Sequence, residues 1–482
     1  MLRTDRTQRA ARGPGRTAWQ LGAAGVLAMG LVAALAAQDR GAVQTRQFAD
    51  GGIYEGSFEG GRKHGQGTYR LPNGFEYTGA WVAGEMTGQG VARYPSGAVF
   101  EGEFLRGHPH GQGRMTFPDG SVHEGGWEMG EMAGPGVLRL ASGETFEGEF
   151  RDGQRHGRGV METPAGYVYD GDWLAGAKTG AATITYPDGS VYVGAVVDGQ
   201  RSGQGRLELA SGDVFEGVWV DGLLEGAGVL RFANGDLYEG EFRAGQRHGQ
   251  GVLRLVDGAV HEGGFAEDRR HGPGVLTAAS GVVIEGVWVE GRLEGPGRAV
   301  HADGAVYEGA LRGDRPDGEG TMRFADGTEL SGIWDEGALS GPGIARFAGG
   351  AVYEGGFEGG RRHGRGVLWL PDGYVYEGEW RDGMRHGAGV ARYPDGSVFE
   401  GTFAADARHG QGVFTGPDGF RYEGAWVEGR IEGPGRATYP GGAEFEGTFR
   451  DGERHGAGVL RYPTGEVLDG MWEMGEFLGP AE

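Results

Sequence analysis

Nine histidines recur at multiples of 23 residues: His64, His110, His156, His248, His271, His363, His386, His409 and His455. Imidazoles in such a row could ligate a metal or carry protons. A second row is acidic. Glu or Asp fills one equivalent place in sixteen of nineteen copies, the exceptions being Thr78, Val193 and Ser331. Carboxylates in a row could bind calcium or act in pairs in hydrolysis. A third row is Trp81, Trp127, Trp173, Trp219, Trp288, Trp334, Trp380, Trp426 and Trp472, a series able to line a groove for sugars or lipid chains. Gly171–Thr179 comes within one residue of a phosphate-binding loop.

Spacing argues against each of these chemistries. Two-stranded units stack about 10 Å apart, and metal–nitrogen bonds are about 2 Å long, so histidines of neighbouring copies cannot share an ion. A loop-anchoring role beside arginine is the expectation for them, and together they form a candidate interaction edge. Calcium needs roughly six to eight oxygens converging on one point, which a flat row does not supply. The near-P-loop has one residue too many and lacks the strand-to-helix context. Core packing accounts for the tryptophan row better than a ligand groove. No catalytic residue, metal ligand or cofactor is therefore assigned, and the chain is not expected to be an enzyme.

The element that positions these rows is a 23-residue unit. It opens at Tyr54 and returns without insertion or deletion through Tyr77, Phe100 and His123 to Leu468, nineteen copies in all. A fixed period of this length marks stacked supersecondary units, none able to bury a core alone. The first copy shows the pattern in Tyr54, Gly56, Phe58, Gly65, Gly67 and Gly74. Numbered from the first aromatic, positions 3 and 12 are Gly in all nineteen copies, and position 14 is Gly in every complete copy except for Ala182.

Positions 1 to 5 alternate aromatic, acid, glycine, variable, aromatic, as a strand with one buried face does. Positions 14 to 18 alternate as well. Pro-Asn-Gly or Pro-Asp-Gly, as at Pro72–Gly74 and Pro118–Gly120, separates the copies and suits a tight turn ending in a positive φ. Position 8 is Gly except for Asp268, Asp314 and Asp406, and Asp tolerates the left-handed region. Each copy is thus a β-hairpin. Glycines 3 and 14 lie on the buried face, leaving room for a neighbouring ring. The acids of position 2 and the arginines of position 17 (Arg70, Arg93, Arg231, Arg346, Arg392 among them) share the other face, where a cross-strand ladder would contribute about 0.2–1 kcal/mol per pair.

A longer period is superimposed. Position 5 alternates Phe and Trp, as in Phe58, Trp81, Phe104 and Trp127. Phe copies mostly carry His at position 11, whereas Trp copies usually carry Met, Leu, Ile or Phe at position 10, with Trp380 and His386 the exception. The unit of duplication was a pair of hairpins. The phase slips at Phe242 and Phe265, which predicts a junction near residues 238–283.

Composition sets outer limits. The 106 glycines of 482 residues far exceed the usual share of about 7%, but they are periodic, which excludes low-complexity disorder. The net charge of -23 disfavours nucleic acid and anionic lipid. The absence of cysteine excludes disulfides and thiolate chemistry. Residues 1–37 resemble an export segment. Arg3, Arg6, Arg9, Arg12 and Arg16 precede the uncharged run Leu21–Ala37, which ends in Ala34-Leu35-Ala36. Cleavage there would take the formal charge from -23 to -27 by removing five arginines and one aspartate. An uncleaved anchor is the rival reading, and both place the repeats outside the cytoplasm.

Tyr54-Glu-Gly-Ser-Phe-Glu-Gly-Gly-Arg-Lys-His-Gly-Gln-Gly-Thr-Tyr closely resembles the MORN (membrane occupation and recognition nexus) motif, as do Tyr238–Leu253, Tyr353–Leu368 and Tyr376–Ala391. The resemblance covers residues 54–482, preceded by a half-repeat cap within 38–53. It implies an all-β repeat solenoid, consecutive antiparallel hairpins in one long twisted single-layer sheet. It also implies scaffolding, dimerisation and, in some members, affinity for acidic phospholipids. The expected protein is a bacterial, exported, non-enzymatic scaffold, periplasmic or anchored to the inner membrane. Its expected partners are proteins or a second copy, with membrane contact mainly through the N-terminal segment. Peripheral phospholipid binding through the repeats is the alternative. One sheet should leave its aromatic face half covered, to be closed by curvature, a second copy or a partner.

Overall fold

The computed structural model describes residues 42–480. The expected export segment, residues 1–37, and the first residues of the expected cap lie outside the described residues. Among the described residues there are 39 β-strands and no helix. The chain divides into two compact units, Met1–Ala177 and Lys178–Glu482. Within the first, strands from Gln44–Gln47 to Val168–Leu174 pair each with the next in antiparallel fashion. Within the second, the same succession runs from Ala177–Thr185 to Glu476–Gly479. The strand Gln44–Gln47 pairs with Ile53–Gly56 in the register that joins one copy to the next elsewhere.

Each copy before the last contributes a seven-residue strand, such as Ile53–Glu59, and a nine-residue strand, such as Arg62–Arg70, and the last pairs Val467–Glu473 with the four-residue Glu476–Gly479. The unequal lengths are absorbed by a bulge. Gly56 faces Gly67, but the next pair is Ser57 with His64, so Gly65 and Gln66 have no partner within the hairpin. They pair instead with Trp81 and Ala80 of the next copy. Gly65 adopts φ +68°, which accounts for glycine at position 12.

The hairpin turn has positive φ at both central residues, as in Ala83 (50°) and Gly84 (94°). That is the type I′ turn, whose twist matches the flanking strands. Position 7 is thus left-handed although it is often Arg, Met, Glu or Asp, a strain the sequence pattern does not display. Asp268 (66°) and Asp406 (67°) adopt the conformation expected of them. Asp314 does not. In that copy Gly313 takes the positive φ (65°), and its N–H, one residue early, donates to the Leu293 carbonyl at 2.8 Å. Between copies the turn closes through Leu71 N–H to Phe75 O at 2.8 Å, with the Asn73 side chain accepting from Phe75 N–H at 3.0 Å.

The inner face is covered by its own rings, which corrects the expectation of a half-covered face. Tyr54, Tyr77, Phe100, Tyr238, Tyr353 and Phe445 are all 0% exposed with no second chain present. In most copies the position-1 ring lies flat across glycines 3 and 14 of its own copy, whereas beside Phe215 those glycines face Leu224 and Phe242 instead. A methyl group at Gly56 would sit 2.5 Å from the Tyr54 hydroxyl oxygen. The tyrosine hydroxyls then donate to the position-4 carbonyl beside the bulge, from Tyr54 to Ser57 at 3.2 Å and from Tyr307 to Ala310 at 2.8 Å. Burial pushes these hydroxyls up, to about 12 at Tyr238 and Tyr353, so they remain donors. Rings of positions 1 and 5 meet edge to face along the stack: Tyr54 is 5.1 Å from Phe58 and 5.3 Å from Trp81. Pairing also runs unbroken through residues 238–283, so the phase slip there is not a junction in the sheet.

Gly251→Ala and Gly349→Ala separate packing from glycine content. A methyl at Gly251 would lie 2.5 Å from the Tyr238 ring, whereas one at Gly349 meets nothing within 4 Å. Urea denaturation should show a loss of about 1–3 kcal/mol for Gly251→Ala and a change within about 0.5 kcal/mol for Gly349→Ala.

Candidate interaction surface

The position-11 histidines stand in mid-strand, which corrects their expected place in a loop. His64 lies within Arg62–Arg70 opposite Ser57, at the bulge. Its backbone carbonyl accepts from the Tyr54 hydroxyl at 3.3 Å, and its Nδ1 lies 3.0 Å from Glu59. His363 sits likewise, 3.2 Å from Glu358. His110, His156, His248, His386 and His455 are half-buried, whereas His271 and His409 are exposed. The row is therefore not one uniformly open edge. Among the described residues no three His, Asp or Glu side chains gather as a metal site.

The residue that matters beside each histidine is the one before it. Position 10 reaches across to the next copy, where it meets the ring at position 5. The guanidinium of Arg201 stands 4.4 Å from the Trp219 ring centre, and those of Arg362, Arg408 and Arg454 stand 4.2–4.3 Å from Trp380, Trp426 and Trp472. Each also donates to the position-8 carbonyl of that next copy: Arg201 to Gly222 at 2.6 Å, Arg454 to Gly475 at 2.8 Å. The tryptophans are 2–5% exposed. The Nε1 groups of all but Trp288 donate back to the position-14 carbonyl of the preceding copy, Trp81 to Gly67 at 3.1 Å and Trp472 to Gly458 at 2.9 Å. This series is core, not a groove lining. The 46-residue alternation is thus a pairing between copies, in which a cation of one copy faces Trp of the next and an apolar residue faces Phe.

Pro109 and Pro316 precede Trp127 and Trp334 and so depart from this alternation, and two further departures carry their own compensation. Arg247 and Arg385 precede copies with Phe at position 5 (Phe265, Phe403). In those copies position 8 is Asp. Arg247 Nε meets Asp268 at 3.2 Å, and Arg385 Nε meets Asp406 at 3.2 Å. The aspartates at 268 and 406 therefore both hold the turn and pair the arginine. Sequence patterning within a copy does not show this, but correlating position 10 with positions 5 and 8 of the following copy would.

On the outer face, arginines pair with the acidic row in several registers. Arg323 bridges Glu308 at 2.8 Å and Glu329 at 3.0 Å, and Arg139 reaches Glu124 at 3.3 Å. Arginines of position 15 join in, as Arg114 does with Glu124 at 3.0 Å. All are well exposed, so each pair contributes about 0–1 kcal/mol. An open groove of about 750 Å³ near residues 250–286 is lined by Glu262 and Glu285 with Val252, Val275 and glycine backbone. It holds no histidine, serine or cation among these residues.

Two copies place His where the ring row has Tyr or Phe. His123 and His261 are 0% and 2% exposed. His261 packs between Phe265 (5.3 Å) and Trp288 (4.7 Å). Burial, with the Arg270 charge added, pushes it down from 6.5 to about 4. The unfolded chain takes up this proton first as pH falls, so the stability is whole above about pH 6.5 and declines toward pH 4. His261→Phe should remove on the order of 3 kcal/mol of that decline, measured as urea midpoints at pH 7.5 and pH 4.5.

Comparison with known proteins agrees with this geometry. The MORN repeat profile matches seventeen segments, beginning with 54–75 and 77–99, continuing at the 23-residue period and ending with 422–444 and 445–467. The copies opening at Leu330 and Leu468 are not among them, although Glu329–Asp335 and Ala338–Arg346 form the same hairpin. Alsin from Rattus norvegicus and from Homo sapiens is 43% identical over 58 residues, 11% of this chain and 4% of Alsin. The chain thus spans only a small part of the length of the curated relatives it matches. The SAS-4 TCP domain of Drosophila melanogaster aligns over 42% of this chain and 96% of its own at 14% identity and a TM-score of 0.21. Streptogramin B lyase aligns over 70% and 92% at 11% identity and a TM-score of 0.11. The seventeen matched segments, in register with the observed hairpins, establish that the chain belongs to the MORN repeat family.

Proposed function

We propose that this chain is an exported, non-enzymatic scaffold whose repeats present an extended surface for protein binding. The observation that carries this reading is the self-burial of the ring row. Because the rings, glycines and tryptophans are spent on holding copies together, the outer strand face, the rims of each copy and the half-buried side chains that roof the rings are left for other molecules. Stacked repeats offer such surfaces by construction. The arginine-rich start and apolar run support export, with the repeats outside the cytoplasm.

Charge favours protein over lipid. Anionic membranes attract clustered Lys and Arg, whereas here 68 acids face 45 basic residues and the outer arginines are largely paired with glutamates. Residues 38–482 should remain in the supernatant when centrifuged with phosphatidylserine-containing vesicles at physiological salt. Sedimentation with those vesicles would replace the scaffold reading by the peripheral membrane one. Alkaline phosphatase fused after residue 60 should be active outside the inner membrane, and an inactive fusion would overturn the location.

A further inference from the structure

Position 10 is arginine in three consecutive copies only once, at Arg362, Arg385 and Arg408. All three are half-buried on the inner face of the second unit, lying against buried rings: Trp380, Phe403 and Trp426. They share one carboxylate, Asp406, which pairs with Arg385. Arg362 and Arg408 each donate one hydrogen bond, to Gly383 O at 2.7 Å and Gly429 O at 3.1 Å. No carboxylate lies within ion-pair distance of either among the described residues. A guanidinium has five N–H donors, so most of their capacity is unspent. Burial, with the Arg385 charge among the added causes, holds both below the usual arginine range. Three cations against one acid form a local excess of positive charge on a chain of net charge -23.

Aromatic side chains flank this strip toward the turns between copies. Tyr374 and Tyr393 have ring centres 5.4 Å apart, and Phe420 and Tyr439 have theirs 5.7 Å apart. Tyr393, Phe420 and Tyr439 are half-buried. Unlike the position-1 rings, they keep part of their surface in solvent. The strip therefore offers cations at the spacing of the copies beside rings that are not fully used.

We propose that this strip docks an acidic polyproline-II segment of a partner protein, with a carboxylate at every third residue. The proposal rests on the protein-binding reading above and deepens it. Successive copies stand about 9.5 Å apart. A polyproline-II helix repeats every three residues, or about 9.3 Å, and so returns a side chain to the same face at that spacing. A β-strand spans nearly the same distance in three residues but turns the third side chain to the opposite face. Carboxylates on the one face would meet Arg362 and Arg408, six residues apart along the segment, while Arg385 between them stays held by Asp406 and the Tyr374 hydroxyl, and prolines between would pack on the tyrosines, as proline-rich segments do in aromatic-lined grooves.

The test uses the full chain and three fluorescein-labelled peptides, (Glu-Pro-Pro)6, (Glu-Gly-Gly)6 and (Lys-Pro-Pro)6, read by anisotropy. (Glu-Pro-Pro)6 should bind saturably, weaken as salt rises, and bind at least tenfold tighter than (Glu-Gly-Gly)6, which has the same charge without the preformed helix. (Lys-Pro-Pro)6 should not bind. The double variant Arg362→Gln/Arg408→Gln should weaken (Glu-Pro-Pro)6 at least tenfold, and Arg362→Lys/Arg408→Lys should retain most of the affinity. Near-UV circular dichroism reports whether the variants fold, and the three-peptide comparison on the unaltered chain decides the matter without them. Equal affinity for the two acidic peptides, no binding of either, or undiminished binding by a folded Gln variant would overturn the strip. None of those results bears on vesicle sedimentation or export, which judge the scaffold reading separately.

Discussion

A single ring lying across two glycines governs this molecule. Where position 1 is a ring, positions 3 and 14 lack a Cβ in nearly every copy, and the hairpin bulges so that its second strand reaches the next copy. Where the ring is tyrosine, its hydroxyl answers the carbonyl beside that bulge, as Tyr238 does with Glu241 at 3.0 Å. Desolvation of the ring supplies the driving force, and the glycines allow the close approach that delivers it. A one-layer sheet is viable here because most copies cover their own inner face with their own ring, and where position 1 is Ile284 or Leu330 the leucines Leu293, Leu311 and Leu339 cover the glycines instead.

Contacts between copies are then a question of what roofs the ring row. A cation over tryptophan and an apolar side chain against phenylalanine are two solutions of similar size, and the chain alternates them. The departures are informative. Arg247 and Arg385 face Phe rather than Trp and acquire Asp268 and Asp406 as partners. At Arg362, Arg385 and Arg408 arginines stand on three successive copies, and there the covering of rings leaves charge to spare.

Much of this was legible in the residues. Alternation at positions 1 to 5, the Pro-Asp-Gly separators and the invariant glycines determine hairpins, their period and the buried side, because strand periodicity and turn chemistry are local. The role of glycine 12 was not legible, because a bulge is a relation between two strands. Left-handed Ala83 or Met129 leaves no mark in composition, since the turn type is imposed by the twist of the strands around it. The histidine row drew attention because His is chemically conspicuous, whereas the preceding Arg does the packing. His123 and His261 look like further members of a histidine set, yet they are buried substitutes for Tyr and Phe. Which cover closes the ring row, curvature, a second copy or a partner, was left open because ring orientation, flat on glycine, cannot be read from a pattern of residue types.

Self-sufficiency of the ring row is the claim on which the assignment of the outer face and rims to binding depends. Its most direct test is acrylamide quenching of tryptophan fluorescence on residues 38–482 across a dilution series, with sedimentation velocity reporting the oligomeric state at each concentration. The nine position-5 tryptophans, all 2–5% exposed in the single chain, should stay shielded in the monomer, leaving Trp369 (38% exposed) as the accessible fraction. Quenching that rises sharply as any oligomer dissociates would show that a second chain covers the rings, and would contradict the account.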